Sequence, residues 1–322
     1  GGQAVLEGVM MKNKEKYAVA VRKPNGEIEV ELENHQGVGG NSVFKNLPFI
    51  RGIFNFIDSM VLGTRCLNFS AEFYEDEEEQ ETKFDKFLNK ITGGKAEKVL
   101  SAFVVAFSVI LAVAIFIVLP YFITSLFKAY VRSSILMTII EGCIRILIFL
   151  LYVVGISAMK DIKRLYMYHG AEHKCINCIE RGKPLTVRNV MRSSRLHKRC
   201  GTSFMFFVLF ISIILFFFIQ VSNPVLKIVL RILLIPVIAG ISYEIIRLAG
   251  RSDNIFIKIL SAPGMAIQKL TTKEPTKDMV EVGIASVEAV FDWKKFLIEE
   301  FNYDPSYFEE ESSENTEEDE QA

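Results

Sequence analysis

Long runs of apolar residues alternate with charged segments along this chain. Four runs are long enough to span a bilayer, which takes about 20 helical residues; they cover residues 99–127, 133–159, 203–221 and 224–248. Because backbone groups in lipid must hydrogen-bond internally, spans of this kind are helices. The pattern therefore predicts an α-helical integral membrane protein with four transmembrane helices, in two pairs over residues 99–159 and 203–249.

Shorter patterns predict structure outside these runs. Residues 17–21 and 27–32 favour strands and flank Pro24-Asn25-Gly26, so an N-terminal β-hairpin is expected within residues 1–45, with residues 2–10 as a candidate third strand. Apolar residues at helical spacing predict an amphipathic helix over 48–73, which either lies in the membrane interface or packs on the soluble part.

Four further segments complete the predicted organisation. Residues 46–98 hold the amphipathic helix and an acidic linker, residues 160–202 form a basic loop, residues 250–308 form a helical region, and residues 309–322 are a disordered acidic tail. In the helical region, Pro263-Gly264 predicts a break and residues 276–300 a terminal helix. We expect the hairpin, the 160–202 loop and the terminal helix to assemble into a small mixed α/β domain.

Charge predicts the orientation. The apolar residues are gathered into four long runs, which excludes a purely soluble protein, and the net charge of −1 conceals eight acids in the tail. Residues 160–202 carry eleven bases and three acids. By the positive-inside rule this segment and both termini are cytoplasmic. The bases lack interleaved aromatic residues, so the expected partners are the lipid bilayer and other membrane proteins, and no nucleic acid.

The main candidate for chemistry is His169-Gly170-Ala171-Glu172-His173. On a helix, positions i, i+3 and i+4 share one face, so both imidazoles can hold one metal ion while Glu172 acts as a general base. The alternative interpretation is a hydrogen-bonded cluster without metal.

Two other ligand sets overlap this one. Cys175-x-x-Cys178 with His197-x-x-Cys200 is typical of a closed structural zinc site. Alternatively, His169, His173, His197 and Cys200 bind the metal, Cys175 and Cys178 are buried thiols, and Glu180 is a further candidate ligand.

Charged residues within the apolar runs are a second candidate. Glu141 and Arg145 lie one helical turn apart, and Arg231 is expected at a similar depth, so the three are predicted to form a buried ion pair or a functional site. Glu244 is expected near the histidines. It is a candidate for a further metal ligand, for a residue that orients a ligand through a hydrogen bond, or for a partner of Arg247 or Arg251.

Three segments carry a resemblance. Residues 1–11 (GGQAVLEGVMM), 168–174 (YHGAEHK) and 195–204 (RLHKRCGTSF), with 242–244 and 271–275, resemble the YqhQ family of bacterial multi-pass membrane proteins. The family is a domain of unknown function catalogued as predicted metal-dependent enzymes. The resemblance implies a bacterial cytoplasmic membrane location, and it places family motif positions at six residues: His169, Glu172, His173, Glu180, His197 and Cys200.

Two departures from the family pattern affect the choice of ligands. Cys175 stands where Thr is expected and Lys198 where Pro is expected. The first makes the Cys-x-x-Cys pair incidental and favours the His/Glu/Cys set.

The leading functional expectation is a membrane-embedded hydrolase-like enzyme that depends on zinc or another divalent transition metal and acts at the inner membrane face on lipid headgroups or membrane peptides. The alternative is a non-enzymatic accessory or scaffold protein in membrane-protein assembly or quality control, with a structural His/Cys cluster. A small transporter is the third hypothesis; the uncharged first and third runs count against it.

Overall fold

The fold is helical, with a small antiparallel sheet at its N-terminal end, as the sequence predicts. The computed structural model describes residues 1–38, 40, 47–74, 96–219, 221, 223–250 and 254–308. Its strands are β1 (Gly2–Val5), β2 (Gly8–Asn13), β3 (Lys16–Arg22) and β4 (Ile28–Asn34). Its helices are α1 (Ile50–Glu72), α2 (Ala96–Val113), α3 (Leu119–Ser125), α4 (Ser134–Ser157), α5 (Lys160–Glu180), α6 (Val187–Met191), α7 (Gly201–Phe217), α8 (Pro224–Leu233), α9 (Ile235–Ala249), α10 (Ile255–Thr271), α11 (Lys277–Val290) and α12 (Trp293–Phe301). A π-helical turn, Ala114–Val118, joins α2 to α3. The expected acidic linker and the acidic tail lie largely outside the described residues.

The four strands form a meander in the order β1-β2-β3-β4. The predicted hairpin is β3–β4, with Ala20 opposite Val30, and the segment proposed as a third strand supplies β1 and the first half of β2. Gly26, at φ 92°, occupies the turn between β3 and β4 in a conformation that glycine adopts without strain.

Both faces of the sheet are covered. Val5, Met10 and Val19 point to one face, where they pack against Leu62 and Cys66 of α1. Val9, Met11 and Ala20 point to the other face, where they pack against α5 and α11. Because side chains alternate along a strand, a two-sided core requires apolar residues at successive positions, and β3 meets this with Tyr17–Val21. The hairpin, the 160–202 segment and the C-terminal region therefore pack together.

The apolar runs are helical, and two of the helical stretches are long and apolar enough to cross a membrane: Phe103–Ser125 and Ile135–Ser157. The predicted third run is the shorter helix α7, of 17 residues. The predicted fourth run is bent by 41° between α8 and α9, so it is a third candidate only if both halves form one span. Two or three apolar helices indicate membrane association, and four spans remain a prediction.

Three local predictions differ from the structure. The 160–202 segment contains the 21-residue helix α5 and the short helix α6 rather than an open loop. Helix α10 continues through the predicted break at Pro263-Gly264, because tertiary packing outweighs the loss of the backbone hydrogen bond that Pro263 cannot donate. The packing against α7 is close: a Cβ added at Gly264 would lie 3.0 Å from Ser203 Oγ. The predicted terminal helix is divided into α11 and α12, since Phe291 is extended and Asp292 Oδ1 accepts from Lys295 N and caps α12.

Candidate metal centre

Three helices bring the candidate ligands together. Helix α5 follows α4 after a short break at Ala158–Met159, and its middle turns carry His169, Glu172 and His173 on one face. Cys200 is the N-cap residue of α7, and α10 ends at Thr271 beside them. Glu172 and His173 are buried, with 4% and 1% of their surface exposed.

Backbone carbonyl groups orient both imidazoles. His169 Nδ1 lies 2.9 Å from Thr271 O, and His173 Nδ1 lies 2.7 Å from Arg195 O. A carbonyl oxygen only accepts hydrogen bonds, so each Nδ1 carries the hydrogen and donates it. In the neutral imidazole this leaves the Nε2 lone pair free. Metal-binding histidines are held by the same kind of contact.

Cys200 completes a three-ligand group with the two histidines. Its Sγ lies 3.2 Å from His169 Nε2 and accepts from the backbone N–H of Thr202 at 3.3 Å. One ligand atom from each of His169, His173 and Cys200 lies within 4.8 Å of the others. Among the residues that the structure describes, this is the one group of three or more such side chains close enough to hold a metal ion.

The environment favours the thiolate of Cys200. Burial opposes ionisation, but hydrogen bonds with His169 and His173 lower the pKa of the Cys200 thiol well below its ordinary value. Burial acts against protonation of His169, yet the hydrogen bond with Cys200 raises the pKa of this imidazole above its ordinary value. A thiolate is the form of cysteine that binds metal.

Glu172 lies beside the group. Its Oε1 accepts from the backbone N–H of Gly2 at 3.1 Å, and its Oε2 lies 3.8 Å from Nε2 of both His169 and His173. One oxygen is thus fixed by β1, and the other faces the space between the imidazoles.

The separation of His169 from Cys200 and the position of Glu172 are compatible with a tetrahedral ion. Ligand atoms bound to zinc at about 2.0–2.3 Å in tetrahedral geometry are roughly 3.3–3.6 Å apart. The 3.2 Å between His169 Nε2 and Cys200 Sγ, and the 3.8 Å between Glu172 Oε2 and each Nε2, are close to those separations. Two imidazoles and a thiolate are also the donor types that zinc-type ions prefer.

His197 and Glu180 form a neighbouring pair outside the three-ligand group. The ring of His197 lies 5.7 Å from that of His173, but its Nε2 faces Glu180 Oε2 at 3.2 Å. Glu180 also pairs with Arg199, and although burial opposes its ionisation, the hydrogen bond with His197 lowers the pKa of its carboxyl group. His197 therefore lies in the loop that carries Cys200, and Glu180, at the end of α5, pairs with that loop.

The other candidate ligands lie apart. Cys175 is buried against Gly283 of α11, and Cys178 Sγ lies 3.4 Å from Pro184 O. Burial raises the pKa of both thiols, and neither belongs to the three-ligand group, so the predicted four-ligand knuckle is not assembled. Glu244 is paired with Arg51 of α1, with Arg51 Nε 2.6 Å from its Oε1, and it forms no ion pair with the described histidines or with Arg247. Arg251, the other predicted partner, lies outside the described residues.

The charged residues of the apolar runs come together at a separate place. Glu141 Oε1 lies 2.7 Å from Arg145 NH2 and 2.6 Å from Arg231 NH1. All three residues are at least 95% buried. The structure groups these three residues as predicted. Glu141 and Arg145 lie in the first half of α4, whereas His169 and His173 lie in α5, which follows the end of α4.

Several supporting residues were not identified from the sequence. Gln268 is fully buried and bonds His197 N, His197 O and Ser203 Oγ, so it holds the loop that presents Cys200. Gly2 and Thr271 act through backbone groups, which a side-chain pattern does not reveal. The polar Gln268 within an apolar helical stretch was the one available signal.

Comparison with known proteins gives a family without an assigned function. The family profile described as "Protein of unknown function (DUF1385)" matches residues 47–293. The chain is 35% identical over 309 residues to "Uncharacterized protein YqhQ" of Bacillus subtilis (strain 168), covering 95% of this chain and 96% of that protein. No solved structure gives a significant match.

Proposed function

The chain belongs to the DUF1385 family of proteins of unknown function, and from the geometry of its site we propose that it binds one divalent transition metal, of the zinc type, and uses it in hydrolysis at the inner face of a bacterial membrane. His169, His173 and Cys200 would be the ligands. The observation that carries this proposal is the pair of Nδ1–H···O=C bonds, which turn both Nε2 atoms towards the thiol of Cys200.

Three protein ligands leave the fourth position of a tetrahedral ion open, which is the arrangement of catalytic zinc sites. When bound, such an ion supplies Lewis-acid chemistry, polarising a carbonyl or phosphoryl oxygen and acidifying water. Glu172 is the general base in this proposal. Its Oε1 is engaged by Gly2 N–H, so a proton would be accepted at Oε2, the oxygen that faces the imidazoles.

A membrane location at the inner leaflet is also part of the proposal. The long apolar helices Phe103–Ser125 and Ile135–Ser157 and the eleven bases of residues 160–202 support it. Helix α1 exposes Ile57, Met60 and Val61 while pairing with α9 through Arg51 and Glu244. An exposed apolar stripe beside membrane helices suits an interfacial position, so lipid headgroups or membrane peptides are the proposed substrates.

A second candidate function rests on the position of Glu172. With Oε2 3.8 Å from both Nε2 atoms, Glu172 is close enough to serve as a fourth ligand after a small movement. A four-ligand site is closed and structural. The protein would then be a metal-stabilised scaffold for other membrane proteins.

Metal content separates these proposals. The full chain, purified in detergent without chelator, is expected to hold about one zinc per molecule by mass spectrometry. Cys200→Ser should lose it, while Cys175→Ser, an equally buried cysteine outside the group, should keep it. Retention of zinc in Glu172→Gln supports the open catalytic site, and a 10–100-fold loss of zinc affinity in that variant supports the closed structural site. No zinc, cobalt or other transition metal bound by the unaltered protein would refute both.

A further inference from the structure

A charged cluster lies at the end of the helix bundle opposite the histidines, where α3 ends and α4 and α8 begin. Its buried part is Glu141 and Arg145 of α4 with Arg231 of α8, which have 5%, 3% and 1% of their surface exposed. Two guanidinium groups share one carboxylate, so this buried group carries one uncompensated positive charge. Burying a charge without a partner is costly, and a bound anion would remove that cost.

The carboxylate of Glu141 does not satisfy both arginines fully. Its Oε1 faces Arg145 NH2 and Arg231 NH1, and its Oε2 accepts from Arg231 NH2 at 2.9 Å. Arg145 Nε finds another acceptor in Phe116 O, at 3.1 Å, within the π-helical turn. Arg231 Nε is buried and has no hydrogen-bond acceptor among the described residues.

More positive charge leads from this buried group to the surface. Arg231, Lys227 and Lys128 all lie over the ring of Tyr121, at 5.5, 5.5 and 5.6 Å from its centroid. Lys227 is half-buried and Lys128 is exposed. Neither lysine forms an ion pair with another described residue. Among the described residues, Glu141 is therefore the one carboxylate that pairs with any of these two arginines and two lysines.

We propose that Lys128, Lys227 and Arg231 form a binding site for a phosphate group, carried either by an anionic phospholipid or by a soluble phosphate compound. Guanidinium groups bind phosphate through directed N–H donors, and lysines add charge that attracts it. Lys128 is exposed and follows the end of α3, so a phosphate group would approach from this end of the bundle and meet Lys128 and Lys227 before Arg231.

The site is separate from the proposed metal centre. Glu141 lies near the start of α4, whereas His169 lies in the helix that follows the end of α4. Phosphate binding therefore does not depend on the hydrolase proposal, and failure of either leaves the other in place.

The test is a thermal-unfolding titration of the full chain in neutral detergent. The probes are dihexanoyl phosphatidylglycerol, dihexanoyl phosphatidylcholine and inorganic phosphate, at matched ionic strength. At a hundredfold excess over Kd, phosphatidylglycerol should raise the Tm by about 5 °C, and phosphatidylcholine should raise it much less. An equal shift with inorganic phosphate would identify a soluble phosphate as the source of the group.

Charge-neutralising variants locate the effect. Lys227→Gln should abolish most of the shift, and so should Lys128→Gln, which replaces an exposed side chain and is expected to leave folding unchanged. Arg132→Gln removes the same charge from the same loop as Lys128, away from Tyr121, and should keep the shift. The proposal is overturned if neither phosphate probe shifts the Tm, if phosphatidylcholine acts equally, or if Arg132→Gln removes the shift as completely as Lys227→Gln.

Discussion

Gly170 of α5 lies directly against the carbonyl oxygen of Lys273. A Cβ built at Gly170 would approach that oxygen more closely than van der Waals contact allows, and it would also lie 3.4 Å from Pro275. Glycine is therefore required between His169 and the segment that follows α10, because only its bare Cα lets the two backbones meet. The same approach places Thr271 O within reach of His169 Nδ1.

Gly170→Ala is expected to destabilise the protein by about 1–3 kcal/mol, as overpacking against a rigid backbone does. It should also lower zinc affinity, because His169 loses its carbonyl partner when the helix moves away. Thermal unfolding and chelator competition measure the two effects. Gly155→Ala is the matched control, since nothing lies within 4 Å of its Cβ position and alanine favours the helix. Equal stability of the two variants would contradict this prediction.

Gln268 should act on the metal centre without touching it. Gln268→Leu leaves the buried N–H of His197 without its acceptor at 2.9 Å, which costs about 1–3 kcal/mol. Because the same side chain holds His197 O and Ser203 Oγ, the loop that carries Cys200 should loosen and zinc affinity should fall roughly 10–100-fold.

The control for Gln268→Leu is a variant that is destabilised elsewhere. Asp58→Asn weakens the contact between the sheet and α1, on the face of the sheet opposite to the helix that carries His169 and His173, and should leave zinc affinity unchanged. A similar loss of affinity in both variants would show that general destabilisation, rather than positioning of Cys200, explains the effect.

Local patterns predicted the parts of the structure that depend on nearby residues. The hairpin follows from its turn residues and alternation, and the shared face of His169, Glu172 and His173 follows from helical spacing. The grouping of Glu141 with Arg145 and Arg231 follows from the high cost of an unpaired charge in an apolar run.

Features that depend on distant backbone atoms could not be predicted. The choice of Cys200 over His197 as the third member of the group is set by where the loop after α6 places each side chain. The acceptor of His169 Nδ1 is 102 residues away in the sequence. The continuous helix through Pro263 has the same origin, since packing against α7 outweighs a local preference that would end it.

Asp58 predicts a loss of stability in acid. Its burial opposes ionisation, but hydrogen bonds from Lys12, His35 and the N–H of Val38 hold the pKa of its carboxyl group at about 2, below the model-peptide value of about 3.9. A carboxyl group with a lowered pKa in the folded protein stabilises it above the unfolded pKa, and this contribution is lost as the pH falls through the folded pKa.

The Tm of the unaltered protein should therefore fall between about pH 4 and pH 2. Asp58→Asn should lower the Tm at pH 7 and reduce its dependence on pH in that window. Thermal unfolding across the pH range measures both effects, with Glu300→Gln, which replaces an exposed carboxylate near the end of α12, as the control. An unchanged pH dependence in Asp58→Asn would assign the acid effect to other carboxylates.

The buried cluster of Glu141, Arg145 and Arg231 predicts opposite outcomes for single and triple substitution. Glu141→Gln leaves two buried guanidinium groups without a carboxylate, and breaking a buried ion pair in this way costs about 3–5 kcal/mol. Replacing all three with Leu, Met and Leu removes every charge together and should restore most of that stability, because the ring of Phe216, which both arginines contact, is apolar. Unfolding in detergent, followed for both variants, gives the comparison. A triple variant as unstable as Glu141→Gln would show that the charges themselves hold α4 and α8 together.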